Sequence, residues 1–391
     1  MPYRSEVTSD AVVVRGVGPT VPGLSRHRIR AGLHHLPFEF AAKHASLFDI
    51  PPKLLGLARR PPSSSGDRPS SIPDSMWSRM YSYQRDTVSC VVHRFKGRCL
   101  LAHDMGLGKT VQAIALMHHY GSPVLVMCPA FLRDNWHASL SEWGPGLDVT
   151  VLSYDSIRSS AAAGAQEWSL VIADESHYLK QREAQRTQAA LPIIMSCEHA
   201  VLLSGTPCPN RPEELFVPMH ALRPSIVPSF TWFGRRYCNA RRTRFSAFDT
   251  SGSSRSQELS WLLRRAFMLR LRKQDVLGDL PQKLTSVHRV TSGSQAALVR
   301  LAELSEEMED ASPVRLKCLI SEMFRATCEA KQASVVEYVV CRARQRPVLA
   351  FAHHRSMLDA LEAGGNSAKL SVLRMDGDTP MASGRRWWIA S

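Results

Sequence analysis

The stretch Asp104-Met105-Gly106-Leu107-Gly108-Lys109-Thr110 decides how this chain is read. It follows a short apolar run, Cys99-Leu100-Leu101-Ala102, and leads into Val111 to Tyr120, where Val111, Ile114 and Ala115 share one helical face. A strand, a glycine-bearing turn and a helix start ending in Gly-Lys-Thr suit a triphosphate. Backbone N–H groups of the turn and the positive end of the helix face the phosphates. In that arrangement Lys109 reaches the β- and γ-phosphates, and the Thr110 hydroxyl holds Mg²⁺. One position departs from the usual phosphate-loop pattern, because His103 stands where its first glycine is expected. The ATP-binding set read from this stretch is His103, Asp104, Met105, Gly106, Leu107, Gly108, Lys109 and Thr110.

Working outward, short apolar runs alternate with polar or helical stretches from Met76 to about Leu222. The runs are Cys99–Ala102, Val124–Cys128, Val149–Leu152, Leu170–Ala173 and Ala200–Leu203. They are apolar on both faces, as buried parallel strands are. The alternation predicts an open α/β sheet with ligands at the carboxyl ends of its strands.

The remaining chemical motifs follow such runs. Asp174-Glu175-Ser176-His177 comes directly after Leu170–Ala173. Asp174 would hold Mg²⁺, directly or through water, and Glu175 would orient and deprotonate an attacking water. Asp-Glu-Ser before a helix also suits an N-cap. The phosphate loop about 65 residues upstream favours the catalytic reading. Ser204-Gly205-Thr206-Pro207 follows Ala200–Leu203; small hydroxyl residues there would relay nucleotide state, whereas a plain strand-to-loop turn is the ordinary alternative. Gln84, about 25 residues before Lys109, carries a donor and an acceptor together and could read an adenine edge.

Composition narrows the class. The chain has 391 residues, 44% of them hydrophobic, enough for two domains and ample core. No apolar run approaches the length of a membrane span, and the N-terminus lacks a secretory pattern. Nine cysteines are scattered with no Cys-x-x-Cys pair, which argues against a zinc ribbon or a disulfide framework. Lys and Arg total 49 against 35 acids, for a net charge of +14. Between Arg223 and Lys273 stand twelve basic residues and two acids, Asp249 and Glu258. So local an excess suits a phosphate-binding surface, although a solvated basic face would look the same.

In this order, the motifs resemble the superfamily 2 helicase-like ATPases of the Snf type. Tyr83-Gln84 matches that family's Q motif, 104–110 its motif I, 174–177 its motif II and 202–207 its motif III. Val126-Met127-Cys128-Pro129 with Asn135-Trp136 is similar to motif Ia, and Val151 to Asp155 to motif Ib. Phe233 to Ala240, Ser251 to Ser254 with Glu258-Leu259, and Met268 through Leu280-Pro281-Gln282-Lys283 resemble the annealing-helicase, fork-remodelling branch. So do Phe351-Ala352-His353-His354 and Arg374 to Gly377. His103 stands where the family usually has Asp.

The resemblance implies a RecA-like ATPase lobe and ATP hydrolysis with Mg²⁺ on fork or branched DNA, in replication-fork repair in the nucleus. Lys109, Asp174 and Glu175 would be catalytic, Thr110 and Asp174 would hold the metal, and Ser204, Gly205 and Thr206 would couple ATP state to motion. Arg235, Arg236, Arg241, Arg242 and Arg244 would contact DNA phosphates. The expected division is an arm and Pro/Ser-rich linker (1–75), the ATP-binding lobe (76–222), a helical basic insert (223–345) and the start of a second lobe (346–391). Buried strands are expected at Val348–Ala352 and Ser371–Met375, and helices at Glu258–Arg272, Gln295–Met308 and Leu316–Cys341. The family's motifs V and VI are not found, and Arg386 to Ser391 matches nothing in the family, so a C-terminal truncation is expected, which could leave the chain hydrolysis-deficient. Rival readings are an ATP- and DNA-binding module without hydrolysis, and a Snf-type chromatin remodeller.

Overall fold

The protein is described by a computed structural model covering residues 68–379, apart from 161, 162, 165, 209, 245, 279–283 and 291–293. Residues 51, 53, 54 and 57 and the backbone of four short strands between 4 and 36 are also described. Two compact units result, Met1–Leu280 and Pro281–Ser391. The Leu280 to Lys283 stretch and Arg386 to Ser391 lie outside the described residues, as does most of the Pro/Ser-rich linker.

The first unit is built on a parallel sheet. Its strands are β5 (Arg98–Leu101), β6 (Val124–Cys128), β7 (Val149–Ser153), β8 (Leu170–Ala173), β9 (Ala200–Leu203) and β10 (Met268–Leu269). Their order is β10-β5-β9-β8-β6-β7, and every pairing is parallel. Cys99 pairs with Val201, and Val126 with Ile172. Five of the six strands coincide with the apolar runs to within a residue.

Why those runs are apolar throughout is visible in the packing. Leu100, Leu125, Met127, Val171, Ala200 and Leu202 enter one core cluster, while Cys99, Leu101, Val124, Val126, Leu170, Ile172 and Val201 enter the other. Alternate side chains point to opposite faces of a strand, so both faces must be covered. Helices α1 (Asp74–Arg79), α2 (Ser82–His93), α3 (Lys109–Tyr120) and α4 (Arg133–Trp143) cover one face with Met76, Val88, Val91, Ile114, Leu116 and Trp136. The other face is covered from α5 (Tyr154–Ile157), α6 (Gln185–Ser196), α7 (Phe216–Leu222), α8 (Phe230–Tyr237) and α9 (Ser256–Leu262). Full burial of each Val, Leu or Ile stabilises by about 1.5–3 kcal/mol, which makes this sheet the rigid base of the unit.

Three findings depart from the sequence reading. First, residues 1–75 are not merely a loose arm. β1 (Arg4–Val7), β2 (Val12–Arg15), β3 (Arg28–Arg30) and β4 (Leu33–Leu36) form an antiparallel sheet in the order β1-β2-β4-β3. Strands of three or four residues are too short for a period to be counted in sequence.

Second, the basic stretch from 223 is not a helical insert that stands apart from the sheet. The helix expected over Glu258–Arg272 ends as a π turn at Leu263–Phe267, and Met268–Leu269 then becomes the edge strand β10. Its partner, β5, lies more than 160 residues away in sequence, so local periodicity could not reveal the pairing. Part of the basic excess is internal. Arg223 donates to the carbonyls of Ala266 and Phe95, at 2.9 and 3.0 Å.

Third, the second unit shows helices but not the two strands that were expected beside them. α10 (Lys273–Val276) closes the described part of the first unit; the second carries α11 (Gln295–Glu309), α12 (Pro313–Ala343) and α13 (Arg355–Ser367). Leu304, Leu319 and Ala326 form a small core there. The runs at 348–352 and 371–375 form neither helix nor strand among the described residues, and Phe351 is 89% exposed. An extended run becomes a strand only when a partner offers its N–H and C=O groups.

Candidate functional site

The turn after β5 is shaped by two glycines in the left-handed region, Gly106 at φ +81° and Gly108 at +72°. Gly108 is the N-cap of α3, with no side-chain cap. The first amides of that helix therefore have no partner within it and remain available to an anion. A Cβ on Gly108 would collide with Gln84 Nε2. Leu107 is fully buried, and its carbonyl accepts from Gln112 Nε2 at 3.1 Å and Gln84 Nε2 at 3.4 Å. Both amides anchor the turn from behind. Gln84 Oε1 also accepts from the Tyr81 amide at 3.0 Å, closing the N-terminus of α2.

Lys109, the first residue of α3, folds back over the turn. Its Nζ donates to the carbonyls of His103 and Asp104, at 2.9 and 3.3 Å. Burial holds its pKa below the ordinary lysine value, against the opposing pull of Glu175, Asp174 and Asp104. Thr110 follows it, half-buried, and Met105 is exposed at the turn's tip.

Asp174 and Glu175 continue β8. The Asp174 amide still donates to Met127 O at 2.7 Å, so its position is set by the sheet. Asp174 Oδ2 accepts from Trp136 Nε1 at 2.9 Å, and Oδ1 from the Glu175 amide at 2.8 Å. Tyr154 donates its hydroxyl proton to Asp174 O at 2.6 Å. Burial pushes the Asp174 carboxyl above the usual range, while the bonds from Trp136 and the Glu175 amide pull it back down. Glu175 takes φ +47°, a left-handed conformation that costs energy in a residue with a side chain. Its Oε2 is buried without a hydrogen-bond partner, although His177 Nδ1 stands 3.1 Å away. The two groups are in close contact without a hydrogen bond between them.

Ser204 and Gly205 continue β9. Ser204 is fully buried, and its Oγ lies 3.3 Å from His177 Nδ1 and accepts from the Thr206 amide at 3.2 Å. A Cβ on Gly205 would stand 4.0 Å from Lys109 Nζ. The strands β5, β9 and β8 are consecutive in the sheet. Lys109, Ser204 and Glu175 thus come together at three adjacent carboxyl ends. The arrangement offers a cation, a carboxylate oxygen free to take a proton, and a hydroxyl–imidazole contact between them.

The structure narrows the part that two expected site residues can play. His103 does not offer its side chain to the loop. The ring is fully buried and its Nδ1 accepts from the Leu271 amide at 3.0 Å. That assigns the proton to Nε2, which faces Thr87 Oγ1 at 3.2 Å; Thr87 in turn donates to Tyr83 O at 2.8 Å. Burial, then Lys109, lowers the His103 pKa to about 4. Only its carbonyl reaches the site.

Arg236 is the other. It is 5% exposed and pairs with the fully buried Glu258, Nε to Oε1 at 2.6 Å and Nη2 to Oε2 at 2.9 Å. Tyr237 donates to the same carboxylate at 2.8 Å. An internal guanidinium held this way is a structural cross-brace between α8 and α9 and is not offered to a nucleic-acid phosphate. Arg235, Arg241, Arg242 and Arg244 are exposed. The last three lie on a loop closed by the backbone bridge between Arg241 and Asp249.

Sequence reasoning gave no site role to Gln112, Trp136, Tyr154 or Lys273. Trp136 lay within a quoted motif, yet its bond to Asp174 spans 38 positions and leaves no local signal.

Residues 83–161 and 146–299 match the SNF2-related domain, together more than half of the chain. The chain is 34% identical over 341 residues to the Xenopus tropicalis SWI/SNF-related matrix-associated actin-dependent regulator of chromatin subfamily A-like protein 1, covering 80% of this chain and 36% of that protein. It is 33% identical over 348 residues to the Homo sapiens DNA annealing helicase and endonuclease ZRANB3, covering 78% of this chain and 32% of that protein. The chain spans about a third of the length of these curated relatives. Among solved structures it is similar to the Sulfolobus solfataricus SWI2/SNF2 ATPase core in complex with dsDNA, with a TM-score of 0.46, 22% identity, and coverage of 68% of this chain and 60% of that one.

Proposed function

We propose that this chain, which belongs to the SNF2-related domain family, is an ATP-driven motor on duplex DNA, of the branch that rewinds separated strands at forked or branched DNA in the nucleus. One observation carries the reading. Lys109, Ser204 and Glu175 meet at three adjacent strand ends, and the buried Glu175 Oε2 is left without a hydrogen-bond partner. A carboxylate oxygen kept free beside a phosphate cradle suits proton abstraction from an attacking water.

The roles follow from that geometry. The α3 amides and Lys109 would hold the triphosphate. On its arrival Lys109 would exchange the two loop carbonyls for phosphate oxygens. Glu175 would take the proton of the water aimed at the γ-phosphorus. His177 and Ser204 would report the occupancy of that position to the turn after β9.

The residues present also fit Mg²⁺. Asp174 keeps lone pairs beyond those spent on Trp136 and Glu175, and the Thr110 hydroxyl lies one residue past Lys109. Two such protein oxygens suffice, since this ion takes its other ligands from water and phosphate. When bound, it would neutralise charge on the β- and γ-phosphates. Arg235, Arg241, Arg242 and Arg244 would meet DNA phosphates, which selects shape over base sequence.

The test is ATP binding with Mg²⁺, followed by hydrolysis in the presence of forked DNA, plain duplex or nucleosomes. Lys109→Ala should weaken ATP binding about tenfold or more, through loss of a charge-assisted contact. Glu175→Gln should keep binding and lower hydrolysis by about 10²–10⁴-fold. Unchanged affinity in Lys109→Ala would remove the loop assignment. Stimulation by nucleosomes in preference to forks would move the chain to remodelling, and tight ATP binding with no turnover would leave a binding module.

A further inference from the structure

The segment 269–273 reaches the phosphate loop from a distant part of the chain. Four hydrogen bonds lay it along the loop's leading edge. The Ala102 amide donates to Leu269 O at 2.7 Å, and the Asp104 amide to Leu271 O at 3.1 Å. The Leu271 amide donates to His103 Nδ1 at 3.0 Å, and the Lys273 amide to Asp104 Oδ2 at 3.1 Å. The last bond fixes the backbone of Lys273 beside the turn.

From there the Lys273 side chain lies over Gly106. Its Nζ and Cε stand 3.4 and 3.5 Å from where a Cβ on Gly106 would be. A Cβ at 106 would meet the lysine's tip at ordinary contact distance while straining a φ of +81°. Lys109 Nζ is occupied by two carbonyls of the same turn. Lys273, in contrast, forms no ion pair and makes no side-chain hydrogen bond among the described residues. An exposed ammonium positioned over a phosphate-binding turn with no acceptor of its own is ready for one that arrives with the ligand.

We propose that Lys273 is a second cation for the polyphosphate of a nucleoside triphosphate, acting on the loop from β10's side of the sheet while Lys109 acts from within α3. The proposal rests on the reading of 104–110 as the ATP site. It assigns a binding role to a residue that the sequence reading placed in a basic helical insert. It also gives β10 a purpose, because this edge strand sets the position of Lys273 relative to the loop. The plain alternative is a lysine whose methylene stem packs on a glycine while its head stays in water.

Wild type, Lys109→Ala, Lys273→Ala, Lys273→Gln and Lys273→Arg are titrated by calorimetry with ATP, ADP and AMP, each with Mg²⁺, and melted in parallel. The Lys273 amide bond to Asp104 survives all of these changes, so folding should hold. Lys273→Ala and Lys273→Gln are expected to weaken ATP about tenfold, ADP less and AMP hardly at all, with Lys273→Arg recovering most of the ATP affinity. Wild-type ATP affinity in Lys273→Ala, alongside a loss in Lys109→Ala, would overturn this proposal and leave the site intact. An equal loss for all three nucleotides, or a lowered melting temperature, would also overturn it by showing a structural role. Failure of the wild type to bind ATP would instead remove the site reading itself.

Discussion

Ser204 Oγ and His177 Nδ1 stand 3.3 Å apart and join the ends of β9 and β8, neighbouring strands that 26 residues of sequence separate. Because His177 Nδ1 also lies 3.1 Å from Glu175 Oε2, the serine is one side chain removed from the proposed water-activating carboxylate. Ser204→Ala is expected to keep ATP affinity while lowering DNA-stimulated turnover about fivefold to tenfold, the cost of one hydrogen bond felt in the transition state. Steady-state ATPase assays beside equilibrium ATP titration check this. A matching loss of affinity would mean that Ser204 supports binding and not coupling.

Gly108 carries two constraints at once. Its φ of +72° disfavours any Cβ by about 1–2 kcal/mol, and the Gln84 amide occupies the space that a Cβ needs. Gly108→Ala is expected to lower the melting temperature and weaken ATP binding. Adding Gln84→Ala should return part of the stability but not relieve the backbone strain. A double-mutant cycle by denaturant unfolding measures the difference; strict additivity would show that the two residues do not press on each other.

His103 makes stability depend on pH. Its folded pKa of about 4 lies below the ordinary 6.5, so the native state keeps the ring neutral while the unfolded chain takes up a proton. This contribution is fully present above the unfolded value and is lost as pH falls from 6.5 towards 4, by at most about 3 kcal/mol. His103→Asn keeps an acceptor for the Leu271 amide and removes the titration. Its urea midpoint should fall less than that of the wild type between pH 7.5 and about pH 5. Parallel curves for the two proteins would argue that the ring is not held neutral.

The arginines of the basic stretch should separate into two behaviours. Arg236→Ala leaves the Glu258 carboxylate buried without its guanidinium, and should destabilise the fold by about 3–5 kcal/mol. Replacing Arg235, Arg241, Arg242 and Arg244 with Ala should leave the melting temperature nearly unchanged. Those four changes should instead flatten the salt dependence of duplex binding, by about 0.9 in log–log slope for each phosphate that is no longer neutralised. An unaltered slope would mean that the four arginines form a solvated face.

How much of this was legible in the sequence follows from how local each feature is. The strands β5 to β9 were read correctly because a strand buried on both faces writes a continuous apolar run, and the two core clusters take alternate residues of those same runs. The glycine-bearing turn, the paired acids and the Ser-Gly-Thr turn could be placed at strand ends for the same reason: each follows its strand directly, so a few adjacent residues carry the whole signal. The order β10-β5-β9-β8-β6-β7 was not written anywhere along the chain, and only that order sets Lys109, Ser204 and Glu175 side by side. Arg236 and Arg235 are neighbours in sequence, yet one braces the interior and the other faces water, because Glu258 arrives from 22 residues away. The surroundings of the His103 ring and of Lys273 were out of reach of the sequence for the same cause. The Leu271 amide on His103 and the Lys273 amide on Asp104 bridge 168 and 169 positions of chain, drawn together by β10, whose two residues are too few to show a period. The sequence by itself determined which segments are strands and where the residues proposed to handle phosphate sit. Tertiary structure alone decided which charges stand beside those residues, because pairing across the sheet joins residues whose separation in the chain leaves no local trace.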